Sequence, residues 1–214
     1  MKKAPSRGTG IALASGWLLL AGCSLLAPQR YPSRFFTLSP LPRAAQDEGR
    51  DPRGLTFGLG PIQLPAYLDR NEIATRVSAT EITSSPAERW AEPLKSDVTR
   101  ALSQNLSALL NTDRIVLYPW ASSLNIDYQI QIDVLRFERT AGGESQLTAQ
   151  WAIRDGHRGA YLVLKESHLT RPSSPASAAE SVGALSANLG ELSQEIATAV
   201  EQLPVPQPPT RKHP

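Results

Sequence analysis

Few residues in this chain of 214 have the type and spacing to do chemistry. The one cysteine, Cys23, has no second thiol with which to form a disulfide within the chain. His157 falls in a turn segment beside Asp155 and Arg158, His168 near a strand end and His213 in the tail, so no two histidines have metal-ligand spacing. Serines are plentiful, but none occupies the Gly-x-Ser-x-Gly turn that exposes a nucleophile. Gly58-Leu59-Gly60 runs into Pro61 and lacks the third glycine and the helix of a phosphate loop. The expectation is therefore a chain that works by binding, with no catalytic residue, no metal and no cofactor.

The meaning of Cys23 comes from what precedes it. Residues 1–10 are basic through Lys2, Lys3 and Arg7, residues 11–20 are mainly apolar, and the small Ala21 and Gly22 stand directly before the cysteine. This is the charged, apolar, small-residue order of a signal peptide. Its apolar stretch is roughly half of the ~20 residues that a membrane-spanning helix needs. Leu20-Ala21-Gly22-Cys23 resembles the bacterial lipobox, in which the thiol receives a diacylglyceryl group, the leader is cut away and the new amino terminus is acylated. Two or more acyl chains anchor stably where one does not, at about 0.8 kcal/mol per buried CH₂. Ser24, in place of the aspartate that holds enteric lipoproteins in the inner membrane, implies an outer-membrane anchor facing the periplasm.

Removing residues 1–22 takes three basic residues from the 22 present and leaves 19 against 20 acidic, so the formal charge moves from +2 to −1. With its signs interleaved, the mature chain has no basic surface for nucleic acid. A content of 41% hydrophobic and 20% charged residues fits one globular domain, here expected over residues 34–203. Residues 23–33 read as a lipidated tether, and residues 204–214, with Pro204, Pro206, Pro208 and Pro209, as an extended, disordered tail.

Within the domain, residues 34–38 and 55–60 read as strands and residues 39–54 as a loop rich in proline, glycine and charge. Pro61 and Pro65 argue against helix and against a central strand from Pro61 to Arg70. Short strands are expected at 73–77 and 79–83. A helix is expected from near Pro86 to about Leu110, its apolar stripe made by Trp90, Leu94, Val98, Ala101, Leu102, Leu106 and Leu109. Residues 115–118 read as a buried strand. Residues 128–134, 147–154 and the segment from Tyr161 alternate in polarity and form an antiparallel meander, and the parity switch at Leu135 and Phe137 implies either a bulge or a strand end buried on both faces. A last helix covers about 177–202. Its Val182, Leu185, Leu189, Leu192, Ile196, Ala199 and Leu203 follow three-four spacing, facing either the chain's own sheet or a neighbouring subunit of a homo-oligomer. Gly183 and Gly190 beside that stripe suggest close packing. The fold expected is α/β: a two-layer domain with a mixed, mostly antiparallel sheet and two long helices packed against it.

Taken in order, the lipobox, Phe35-Phe36-Thr37-Leu38, the Gly60–Arg70 segment, Trp90-Ala91-Glu92-Pro93-Leu94, Leu102-Ser103-Gln104-Asn105-Leu106, Tyr128, Trp151 and the long last helix make the chain resemble the PqiC/YmbA-like lipoproteins, or ABC-type transport auxiliary lipoproteins. The resemblance spans the mature chain apart from the proline tail. It implies an auxiliary lipoprotein that works with a membrane transporter and a protein carrying MCE (mammalian cell entry) domains in lipid transport between two membranes. A structural or assembly lipoprotein of pilot type, serving another envelope machine, is the alternative. On the residues alone, Leu64, Tyr67, Leu68 and Arg70 sit on a proline-framed loop that either docks a partner or lipid or plugs the core. Trp90 reads as a core anchor.

Overall fold

The computed structural model describes residues 32–42 and 53–204; Cys23, the leader, His213 and the tail beyond Pro204 lie outside the described residues. Among the described residues the eight strands are β1 (Arg34–Phe36), β2 (Phe57–Gln63), β3 (Glu72–Arg76), β4 (Ile82–Trp90), β5 (Ile115–Leu117), β6 (Tyr128–Thr140), β7 (Glu144–Asp155) and β8 (Tyr161–Pro172). The helices are α1 (Leu94–Leu109) and α2 (Ala178–Glu201).

The long strand β6 organises the sheet. One of its edges pairs with β7 from Tyr128 to Arg139, and β7 in turn pairs with β8, giving the antiparallel meander that the alternation predicts. Since β7 fills that edge, β2 and β3 share the other, both running parallel to β6: β2 beside residues 128–133 and β3 beside residues 139–140. Outward from β2 lies β5, and outward from β3 lie β4 and then β1. The sheet is mixed: four of the seven pairings are parallel but short, while the antiparallel β6–β7–β8 ladders are the longest.

Both helices cover one face. α2 lies over β6, β7 and β8, and α1 lies beside it over β2 and β5. Ser177 caps α2 by accepting from the Glu180 N–H, and Glu180 adds an acidic group to the first turn, where the helix dipole favours one. The stripe from Val182 to Ala199 is buried within the chain's own core, which decides between the two readings of that helix. Gly190 packs closely, since a Cβ there would sit 2.7 Å from Leu41 Cδ2, whereas a Cβ at Gly183 would meet nothing within 4 Å.

Three expectations need correction. The segment from Pro86 to Trp90 is the end of β4, and α1 begins at Leu94 with Pro93 at its N-cap. Pro86 can stand in a strand because the β3–β4 register slips between Glu72 and Ala74, at the irregularity where a missing N–H leaves no gap in the ladder. β2 likewise continues through Pro61, at the register shift between Leu59 and Ile62. Gly60, at φ 119°, supplies the backbone shape of that shift, which a side chain would resist. Thirdly, β5 pairs with β2 alone among the described residues and Leu117 is 43% exposed, so this strand is an edge and not a buried element. Of the two readings of the parity switch in β6 the bulge holds, between Val134 and Arg136; Leu135 is the extra residue and points out.

Candidate functional site

The loop from Leu64 to Asn71 fills the gap between β2 and β3 alongside the bulged part of β6. Its only regular piece is a 3₁₀ turn, Ala66–Leu68. Leu68 is 2% exposed and belongs to the core, while Leu64 and Tyr67 are half-buried and pack against it. Arg70 is exposed. The structure thus brings the four residues to one corner but divides their tasks: Leu68 fastens the loop inward with Leu64 and Tyr67 packed against the core, and Arg70 stands outermost.

Under Tyr67 lies a buried ion pair. Glu138, on β6, has a fully buried side chain held by two hydrogen bonds from Arg76 of β3, one of them from Nη2 at 3.2 Å. The Arg76 guanidinium carbon lies 5.9 Å from the Tyr67 ring centroid, a cation–π distance. Burial, and then the neighbouring Glu138 carboxylate, push the Tyr67 hydroxyl up to about 12. The hydrogen bond to Glu138 holds the Arg76 charge above its ordinary range. The bulge is the cause of this pair: Phe137 regains the core side against Trp90, at 6.3 Å between rings, and turns Glu138 to the opposite face of the sheet.

A second polar constellation, unforeseen from the sequence, fixes the segment that follows β1. Residues 37–41 cross the helix layer as a strap. Asp97 of α1 accepts from the Leu38 N–H at 2.8 Å, Asn105 of α1 accepts from the Leu41 N–H at 2.7 Å, and Ser186 of α2 accepts from the Ser39 N–H at 3.1 Å. Asn105 also donates to Ser193 of α2 at 3.1 Å, and Arg100 closes on Asp97. Burial raises the Asp97 carboxyl above the usual carboxylate range, against the pull of the Leu38 N–H and Arg100. The available signal was Asp97, Ala101 and Asn105 at four-residue steps, two polar residues on a buried helical row.

The two described histidines are held by carboxylates. His157 Nε2 lies 3.1 Å from Asp127 Oδ1, and the N–H groups of His157 and Arg158 both donate to Asp155 Oδ1 at 2.8 Å. Those backbone donors, with that of Arg158 foremost, hold the Asp155 carboxyl below its ordinary range. His168 Nε2 lies 2.9 Å from Glu166. Among the described residues no three His, Cys, Asp or Glu are grouped to hold a metal ion, and no helix is long and apolar enough to cross a membrane.

These features define a two-layer α/β domain, its helices on one face of an open mixed sheet and its leading segment strapped across them. The chain belongs to the family described as ABC-type transport auxiliary lipoprotein component, whose model matches residues 36–197. No curated protein matches it. Among solved structures it is similar to an uncharacterized protein at TM-score 0.64 and 18% identity, covering 79% of this chain and 99% of that one. It is also similar to protein XCC0632 from Xanthomonas campestris at TM-score 0.59 and 16% identity, covering 79% and 98%. At these identities the likeness is one of fold.

Proposed function

We propose that this protein is the lipid-anchored auxiliary subunit of an MCE-type system moving lipid between the two envelope membranes, acting by binding and positioning and not by covalent chemistry. The observation that carries the reading is the family match over residues 36–197 downstream of a signal-peptide pattern ending at Cys23. Acylated at Cys23, the chain would stay in the outer membrane and face the periplasm. A tether of about ten residues reaches at most ~35 Å, so the domain works near that membrane and a partner spans the rest. Tyr67 and Arg70 are the partner-facing residues of the 64–71 loop, and Leu64 and Leu68 hold it in shape.

Crosslinking in the intact envelope tests this. A photo-reactive residue at Arg70 is expected to capture an MCE-domain protein; reproducible capture of the components of a different envelope machine, with no MCE-domain protein, would overturn the assignment.

A further inference from the structure

Both helices lie on one face of the β6–β7–β8 meander, and a groove of about 410 Å³ crosses the three strands on the face they leave open. Its middle row is Gln131–Ala152–Leu164, one residue from each strand. Ala152 is the small member, so the floor dips between a glutamine and a leucine. The row Asp133–Gln150–Glu166 makes one wall. Tyr161 makes the other and reaches back across β7, its hydroxyl 3.5 Å from Gln131 Oε1 two strands away. The ring is held there: the Arg154 guanidinium carbon lies 5.5 Å from its centroid, and Arg154 is itself fixed by donating to the Gly159 carbonyl at 2.7 Å. The charges of the groove cancel. Asp133 and Glu166 are matched by Lys165, which also borders it, and by Arg154, and His168 stands 2.9 Å from Glu166. No ion of either sign is selected, and recognition falls to hydrogen bonds and exposed carbon. Gln150 donates to Glu166 at 2.8 Å, but the Gln131 amide nitrogen, the Gln150 amide oxygen and the Asp133 carboxylate have no hydrogen-bond partner among the described residues. Beside them Tyr161 and Leu164 stand 57% and 71% exposed.

We propose that this groove binds an uncharged oligosaccharide of flat, equatorially substituted pyranoses bearing N-acetyl groups. Such a sugar turns C–H bonds to its faces and hydroxyls to its rim. Its face stacks on Tyr161, where the negative face of the aromatic ring meets the weakly positive C–H groups. Its rim hydroxyls donate to Asp133 and to the Gln150 oxygen and accept from the Gln131 amide. An acetamido methyl covers Leu164, which otherwise stands bare. The groove has the volume of a small-ligand site, and Tyr161 is already fixed before the sugar arrives, so little ordering is left to the binding step. An acyl chain fits less well, because it would bury three polar groups unpaired. A sulfated sugar gains nothing from a groove whose charges cancel, and would set an anion beside Asp133. A cell-wall glycan strand and the sugar headgroup of a glycolipid share the chemistry that fits. The proposal goes beyond the transport reading and is independent of it, since no transporter contact enters it.

The test uses the full-length chain in a detergent without a sugar headgroup, titrated with chitotetraose and followed by calorimetry and by the side-chain amide NMR signals of Gln131 and Gln150. A dissociation constant on the order of 0.1–1 mM is expected, with shifts confined to the groove. Tyr161→Ala and Asp133→Ala should each weaken binding by roughly tenfold with unchanged thermal melting, because both side chains are exposed, and Tyr161→Trp should retain it. Capture of the chain by purified wall glycan, or by glycolipid vesicles, identifies which source supplies the sugar, and either supports the proposal. Absence of heat and of shifts at about 10 mM chitotetraose, equal binding by Tyr161→Ala, shifts confined to the helix side, or tighter binding of heparin would overturn it.

Discussion

Asp97 is fully buried and answers three donors, the Leu38 N–H, the Thr37 hydroxyl and Arg100. Asp97→Asn retains an acceptor for Leu38, whereas Asp97→Ala strands a buried N–H and should cost about 1–3 kcal/mol more in urea unfolding. Because the folded chain holds the Asp97 proton more tightly than the unfolded chain, this group's contribution is complete below the ordinary aspartate pKa of ~3.9 and declines as pH rises through the higher folded value. Asp97→Asn should therefore remove this decline, so that stability rises more steeply with pH above ~3.9 in the variant than in the parent chain. Tyr67 obeys the same sign at the other extreme: its contribution is complete below pH ~10 and is lost as pH climbs towards about 12. Titration of phenolate absorbance should show a late step whose amplitude falls by one tyrosine in Tyr67→Phe.

Two glycines in one helix make opposite predictions about α2. Gly183 faces open space, so Gly183→Ala should stabilise the chain by up to about 1 kcal/mol through helix propensity alone. At Gly190 the same change must push Leu41 aside and should forfeit most of that gain, and Gly190→Val should loosen the strap, seen as faster amide exchange at Ser39 and Leu41. Thermal melts of the alanine pair separate these effects. The strands through Pro61 and Pro86 teach a related lesson. A proline excludes a regular ladder position, but both sit at register shifts where the ladder is already broken.

For the whole molecule, the strap has a mechanical consequence. Residues 37–41 follow β1, which pairs with β4, and are bonded to both helices, so the leading segment of the domain is fixed to the sheet and to α1 and α2 together. Cys23→Ala should move the protein from the membrane fraction to the soluble periplasmic fraction while leaving its melting temperature unchanged. Retention in the membrane would count against the anchor.

Much of this design was legible in the residues. Local periodicity determined α2, the β6–β7–β8 meander and the parity switch at Leu135, because each follows from which side chains must leave water within a few turns or strand residues. The signal-peptide and lipobox patterns ending at Cys23 are readings of the sequence alone and lie outside the described residues. The 64–71 corner was legible as a proline-framed loop, but not in its division into anchors and outward residues. Pairing across long separations is what only the tertiary structure decided. It set β2 and β3 end to end on one edge of β6, made Pro86–Trp90 strand instead of helix, and left β5 and β8 as edges. It also joined Asp97, Asn105 and Ser186 to a strap about 60 or more residues away in sequence. Such partners carry no local signature, because a buried polar side chain shows its reason only when the donor it satisfies arrives from elsewhere in the chain.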